Sequence, residues 1–277
     1  MTGPILLIGG TGFLGSFVAA RLAPLGSVVA LVRPTSDRSV LPDGLQVRVG
    51  DLSSTLPLEG IDTLVYCASM GFGHVPPLVS ALEAAGVRRA VFVSTTAIFT
   101  SLPAPSRAVR LAAEAAVQAS TLDWTILRPT MIYGTDRDRN ISRLLRYLRR
   151  WPVFPLCGNA LWQPVHVEDV ADAVVSALDS PLAVRNSYNL PGAQPVRFSE
   201  LVRTAARAVN RRVLLVPVPI PAAALAARAT RLVTPEQVHR LAEDKAFTYA
   251  DATRDFNYHP RSFAEGVAAE ARLLFSV

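Results

Sequence analysis

Residues 4–15 read PILLIGGTGFLG. A short unbroken apolar run from Ile5 to Ile8 ends in glycines, and FLGSFVAARLAPLG continues with apolar residues at helical spacing, so the stretch parses as strand, turn, helix. Gly9, Gly12 and Gly15 give a GxxGxxG spacing, and Gly10, Gly12 and Gly15 also satisfy GxGxxG. Such a pattern is informative only between a strand and a helix, which is where it falls here. Glycines allow a tight turn and close backbone approach, so the free amides at the helix start can hold a pyrophosphate.

The same alternation continues outward. Apolar runs recur as SVVALVR (27–33), LQVRVGD (45–51), IDTLVYCAS (61–69), RAVFVST (89–95) and LDWTILRP (122–129), with helical patterns such as VPPLVSALEAAGV (75–87) between them. Continuous Val/Ile/Leu runs are expected where strands are buried on both faces by helices. The chain is therefore read as α/β, a doubly wound parallel sheet of the Rossmann-like kind. Beyond MIYG (131–134) the pattern loosens into RNISRLLRYLRRW (139–151), WQPVHVEDVADAVVSAL (162–178) and RFSELVRTAARAV (197–209), and VPVPIPAAALAARATRL reads as strand, turn and helix. We expect residues 1–133 to form the dinucleotide-binding domain, with 162–180 packing back onto it. Residues 134–161 and 181–277 are expected to form a smaller C-terminal substrate lobe. Ligands bind at the carboxyl edge of such sheets.

Composition narrows the classes. Half of the 277 residues are apolar and 18% are charged, as in an ordered globular protein. The 28 Lys+Arg exceed the 22 Asp+Glu by six, but Lys245 is the sole lysine, and an Arg-rich balance points to an anionic small ligand before a nucleic acid. Cys67 and Cys157 lie far apart without a CxxC companion, so reduced thiols and no metal site are expected. The N-terminus lacks a basic leader, and the longest apolar stretch, 213–227, is too short and too proline-rich to span a bilayer, which suggests a cytoplasmic protein.

The second strand ends in ALVRP, which puts Arg33 where the adenosine ribose is expected. An acid there would take a 2′-hydroxyl, whereas an arginine pairs with a 2′-phosphate, so NADP is favoured over NAD. Asp51 ends the third strand, where it either reaches the adenine amine or serves as a turn acid.

Together, GGTGFLG, GDL, YCAS, VFVSTTAIF, WTILRPTMIYG, QPVHVEDVADAVV, YNLPG and FNYHPRSFAEGV resemble the extended and atypical short-chain dehydrogenase/reductases. The likeness is greatest to their NAD(P)-dependent epimerase/dehydratase members, including those similar to nucleoside-diphosphate-sugar epimerases. The resemblance implies a cofactor site on Gly9, Thr11, Gly12, Phe13, Leu14, Gly15, Arg33, Asp51, Leu52, Cys67, Ala68, Ser69, Ser94, Arg110 and Pro129. It also implies a catalytic hydroxyl after the fifth strand, from Ser94, Thr95 or Thr96, and a Tyr-x-x-x-Lys on the next helix. This chain departs there: SRAVRLAAE (106–114) puts Ser106 in place of the tyrosine and Arg110 in place of the lysine. A serine hydroxyl is far less acidic than a phenol, and arginine does not shuttle protons. Ser94, Thr95 and Arg110 remain the catalytic candidates, with Arg110 acting as a fixed cation. Competing structural roles are Ser106 as helix N-cap and Arg110 pairing with Glu114.

Other groups carry a structural and a functional reading side by side. Tyr133 is a wall beside the nicotinamide by resemblance, His74 lies in the loop after the fourth strand, and His166 reads as a strand-end residue. Arg139, Arg143, Arg146, Arg149 and Arg150 form a basic helix that faces solvent or a phosphorylated substrate. The expected function is an NAD(P)-binding oxidoreductase or epimerase-like enzyme acting on a small carbonyl, alcohol or sugar-nucleotide-like substrate. The alternative is a non-catalytic NADP-binding sensor, structural or assembly protein. A homodimer through the small apolar face of RLAAEAAVQA is compatible with either.

Overall fold

The computed structural model describes residues 3–53, 56–102, 104–222 and 242–275. Seven parallel strands make the central sheet in the order β11-β6-β5-β4-β1-β2-β3. They are β1 (Ile5–Ile8), β2 (Val28–Val32), β3 (Gln46–Val49), β4 (Thr63–Tyr66), β5 (Arg89–Val93), β6 (Asp123–Pro129) and β11 (Asn186–Leu190). Strands β1, β2 and β4 are buried along their whole length, which is what their unbroken apolar runs require. The chain order reverses between β1 and β4, leaving a crevice at their carboxyl ends.

Helices cover both faces. On one, α1 (Phe13–Leu22) and α5 (Val167–Asp179) pack together over β1, β5 and β6 in a core that includes Val18, Leu22, Val91, Leu127, Val170 and Val174. On the other, α2 (Val75–Ala84) and α3 (Pro105–Ala119) bury Leu78, Leu82, Ala113 and Val117 against Leu6, Leu64 and Phe92. A third core lies beyond the sheet. There α4 (Ile141–Arg150), α6 (Phe198–Ala208) and α8 (Phe263–Phe275) gather Leu145, Leu148, Leu201, Val202, Phe263 and Val267 around Tyr133. Short pairs complete this region: β7 (Ile132–Tyr133) with β10 (Val165–His166), β9 (Leu161–Trp162) with β12 (Val196–Arg197), and β8 (Val153–Leu156) with β13 (Leu214–Pro217).

The lobe boundary differs from expectation in two places. Residues 186–190, assigned from sequence to the smaller lobe, form the seventh strand, pairing with β6 from Asn186↔Thr125 to Leu190↔Pro129. As an edge strand NSYNL buries only Tyr188 and Leu190, so it lacks the continuous apolar run of its neighbours. The helix α7 (Ala250–Phe256) likewise packs Ala252 and Phe256 onto the sheet core. All of the helix read in AAALAARATRL but its first residue, Ala222, falls outside the described residues.

Candidate functional site

The turn after β1 is a cradle that only glycine fills. Gly9 has φ +84°, and a Cβ there would lie 2.6 Å from the Ala68 nitrogen in the loop after β4. At Gly15 a Cβ would meet the Gly9 carbonyl oxygen at 2.0 Å, so the helix seats directly against its own turn. The Gly12 amide closes the turn on the Gly9 carbonyl at 2.9 Å. Gly12 is also the N-cap of α1 and has no side chain to satisfy the next amides, those of Phe13, Leu14 and Gly15. The steric and hydrogen-bonding features of the turn thus fit a pyrophosphate.

A cleft of about 380 Å³ opens above it. Of the residues expected at a cofactor, Gly9, Thr11, Gly12, Arg33, Asp51, Leu52, Cys67, Ala68 and Ser69 line it. Ser36, Phe72 and His74 join them; Ser36 follows Arg33 in RPTS, a polar neighbour that its turn position could have signalled. Leu14 and Gly15 are buried beneath the turn, and Pro129 ends β6 away from the cleft. The Asp51 carboxylate accepts from the Ser53 hydroxyl at 2.6 Å and amide at 2.9 Å, and these bonds hold it below the usual carboxylate range. Asp51 is therefore a turn acid that still faces the cleft. Burial pushes the Cys67 thiol up to about 12, which favours its protonated form.

A second cleft, about 490 Å³, lies alongside over the carboxyl ends of β5 and β6. Thr95, Thr96, Thr100 and Thr130 contribute hydroxyls; Phe99, Trp162, Phe247 and Met131 form apolar walls. Its floor continues into 243–247, a segment pinned by the Glu243 carboxylate, which accepts from the Thr100 hydroxyl at 2.8 Å and the Ser101 amide at 2.8 Å. The Lys245 ammonium sits 4.0 Å from the centroid of the Trp162 ring. Sequence reasoning left this segment unassigned; that Lys245 is the chain's sole lysine was the one signal available.

The three catalytic candidates are placed differently. Thr95 lines the second cleft, and its Oγ1 accepts from the Ala97 amide at 3.2 Å. Ser94 is buried, and its hydroxyl donates to Glu114, which is itself paired with Arg128 at 2.6 Å. This buried network ties α3 to β5 and β6, so Glu114 is not the partner of Arg110. Instead the Arg110 Nη1 donates to Ser106 Oγ at 2.6 Å, and the guanidinium lies against the loop at Gly71. Ser106 is not the N-cap either: Ala104 holds that position and Pro105 begins the helix, as its fixed φ favours.

Tyr133 is fully buried in the smaller lobe, edge-on to His166 at 5.4 Å and beside Phe263. It lines neither cleft. His166 caps α5: its Nδ1 accepts from the Glu168 amide at 3.3 Å, and burial lowers the imidazole to about 4, keeping it neutral for that role. His74 borders the first cleft at the start of α2. The basic helix buries Ile141, Leu145 and Leu148 and exposes Arg143, Arg146, Arg149 and Arg150, none of which lines the second cleft. Among the described residues no group of three His, Cys, Asp or Glu could hold a metal ion, and no helix is long and apolar enough to cross a membrane.

A reversed-order parallel sheet with a glycine cradle at its switch point defines the dinucleotide-binding α/β class. Residues 9–181 match the family described as NAD(P)H-binding, and the chain belongs to it. It is 28% identical over 249 residues to the mitochondrial NADH dehydrogenase (ubiquinone) 1 alpha subcomplex subunit 9 of Arabidopsis thaliana, covering 78% of this chain and 60% of that protein. The chain thus spans less than two thirds of that relative's length. It is 25% identical over 268 residues to UDP-glucose 4-epimerase of Vibrio cholerae, covering 78% of this chain and 79% of the other. In fold, UDP-glucose 4-epimerase of Thermotoga maritima, solved with UDP-glucose, superposes with a TM-score of 0.79 at 15% identity over 99% of both chains. The resemblance to NAD(P)-dependent epimerase-like short-chain dehydrogenases is borne out at the level of family and fold.

Proposed function

We propose that this protein is an NADP-binding oxidoreductase or epimerase-like enzyme of the atypical short-chain class. The observation that carries the proposal is the adjacency of two clefts on one sheet edge. The first has a glycine cradle and Arg33 in its lining, and the second is lined by hydroxyls and aromatic rings. The amides at the start of α1 hold the diphosphate, and Arg33 with Ser36 holds the 2′-phosphate. When bound, the nicotinamide supplies hydride chemistry at its C4 atom. Thr95 hydrogen-bonds the substrate oxygen, while Arg110, braced by Ser106, contributes a fixed positive charge near the loop after β4. The aromatic walls and hydroxyls of the second cleft suit a small carbonyl, alcohol or sugar-nucleotide-like substrate.

Two observations favour a second reading, a non-catalytic NADP-binding sensor or assembly subunit. No tyrosine among the described residues lines either cleft, and the Ser94 hydroxyl is committed to Glu114. The relative named as a mitochondrial NADH dehydrogenase subunit is consistent with that alternative. The two readings separate in one experiment: the protein is titrated with NADPH and NADH, NADPH oxidation is followed with a panel of carbonyls, and redox-neutral epimerisation of UDP-sugars is followed with the oxidised cofactors. Turnover lost in Thr95→Ala with binding intact supports the enzyme; tight binding without turnover on any substrate supports the sensor. Failure to bind either dinucleotide overturns both.

A further inference from the structure

The loop from 134 to 140 joins β7 to α4 and crosses from the smaller lobe to the glycine turn. Its contact there is Arg137. The guanidinium donates from Nη1 to Ser16 Oγ at 2.9 Å and from Nη2 to the Thr11 carbonyl at 3.1 Å. Ser16 in turn donates to the Phe13 carbonyl at 3.1 Å, so the three residues bracket the first turn of α1.

This placement is electrostatically unfavourable in isolation. A helix N-terminus carries partial positive charge, and a cation beside it raises the local potential further. Both acceptors of Arg137 are neutral oxygens, and no carboxylate among the described residues forms an ion pair with it. Asp37 feels its charge, from the loop that follows Arg33 and Ser36. The arginine thus sits beside the turn, bonded to Thr11 of the first cleft's lining but not itself part of that lining, and adds a second source of positive potential next to the helix start where a dianion would be compensated.

We infer that Arg137 is a clasp for the cofactor's diphosphate, contributed by the smaller lobe and acting together with the amides of α1. This rests on the cofactor reading above. A guanidinium offers paired donors to phosphate oxygens that an ammonium cannot match. The same loop ends at Asn140, which lines the second cleft, so a diphosphate held by Arg137 couples cofactor occupancy to the position of a substrate-facing residue.

The test measures dissociation constants for NADPH, NADH and adenosine 2′-monophosphate, which lacks the diphosphate, by calorimetry on the full chain. Arg137→Ala is expected to weaken NADPH and NADH by the same factor, about tenfold or more, and to leave adenosine 2′-monophosphate unchanged. Arg33→Ala is expected to do the reverse, weakening NADPH and adenosine 2′-monophosphate but not NADH. Arg137→Lys keeps the charge without the fork and falls between wild type and alanine. If wild type binds dinucleotides and Arg137→Ala binds them equally well, the clasp is wrong and the cofactor reading stands. If the variant loses adenosine 2′-monophosphate in equal measure, its effect is a general loosening of the lobe contact and the clasp is again overturned. A wild type that binds no dinucleotide overturns the cofactor reading itself.

Discussion

The two clefts on the sheet edge are made of different material. The first is shaped by backbone: a glycine with φ +84°, a second glycine whose Cβ would fall 2.0 Å from a carbonyl, and helix amides without a side-chain cap. The second is shaped by side chains from distant parts of the chain, Thr95 to Thr100, Thr130, Trp162 and 243–247. A backbone site tolerates little substitution at its glycines, because nothing else fits the space. A side-chain site can exchange its members, because no single backbone atom fixes what must stand there.

That contrast can be broken most sharply at the turn. Gly15→Val places two methyls against the Gly9 carbonyl and is expected to lower dinucleotide affinity roughly 100-fold or more, with a loss of stability seen in thermal melts. Next in size is Glu114→Ala, which strands the buried Arg128 guanidinium and should cost about 3–5 kcal/mol, a fall in Tm of roughly 10 °C. Ser94→Ala removes a single donor from the same carboxylate and should cost only about 1 kcal/mol. If the wild type turns over a substrate, a Ser94→Ala variant with the same rate assigns Ser94 to the framework, and one that loses the rate with an unchanged melt returns Ser94 to the chemistry.

Arg33→Asp tests the adenosine end. Repulsion of the 2′-phosphate should weaken NADPH about 10–100-fold while NADH binds as well or better. An unchanged preference would remove Arg33 from the site. A pH-dependent effect is expected in the smaller lobe. There Glu270 is fully buried, and burial, with Asp138 beside it, raises its carboxyl to about 10. A folded-state pKa above the ordinary 4.5 means that its stabilisation is complete below about 4.5 and is lost progressively as pH rises toward 10. Glu270→Gln should flatten that dependence and melt a few degrees higher than wild type at pH 8, with little difference at pH 4.

The same contrast explains what could be read in advance. The central strands were legible because burial on both faces forces continuous apolar runs, as in ILLI and VVALV. Strand β11 was not, since an edge strand needs only Tyr188 and Leu190 inside. The glycine cradle and the place of Arg33 in the lining of the first cleft were legible because they follow from fixed positions along one strand-turn-helix unit. The Glu114–Arg128 pair joins residues on a helix and a strand that only the fold brings together, and no local spacing marks it. Arg137 was hidden for the same reason: its partners Ser16 and Thr11 lie more than a hundred residues earlier in the chain.

The position of Lys245 has a practical consequence for chemistry performed on the protein. It holds the chain's sole ε-amine, half-buried in the second cleft and stacked on an indole. Apart from the N-terminal amine, an amine-selective reagent has one place to react. A fluorophore or crosslinker attached there would report from inside the cleft, with Trp162 as a built-in optical partner and without an engineered cysteine.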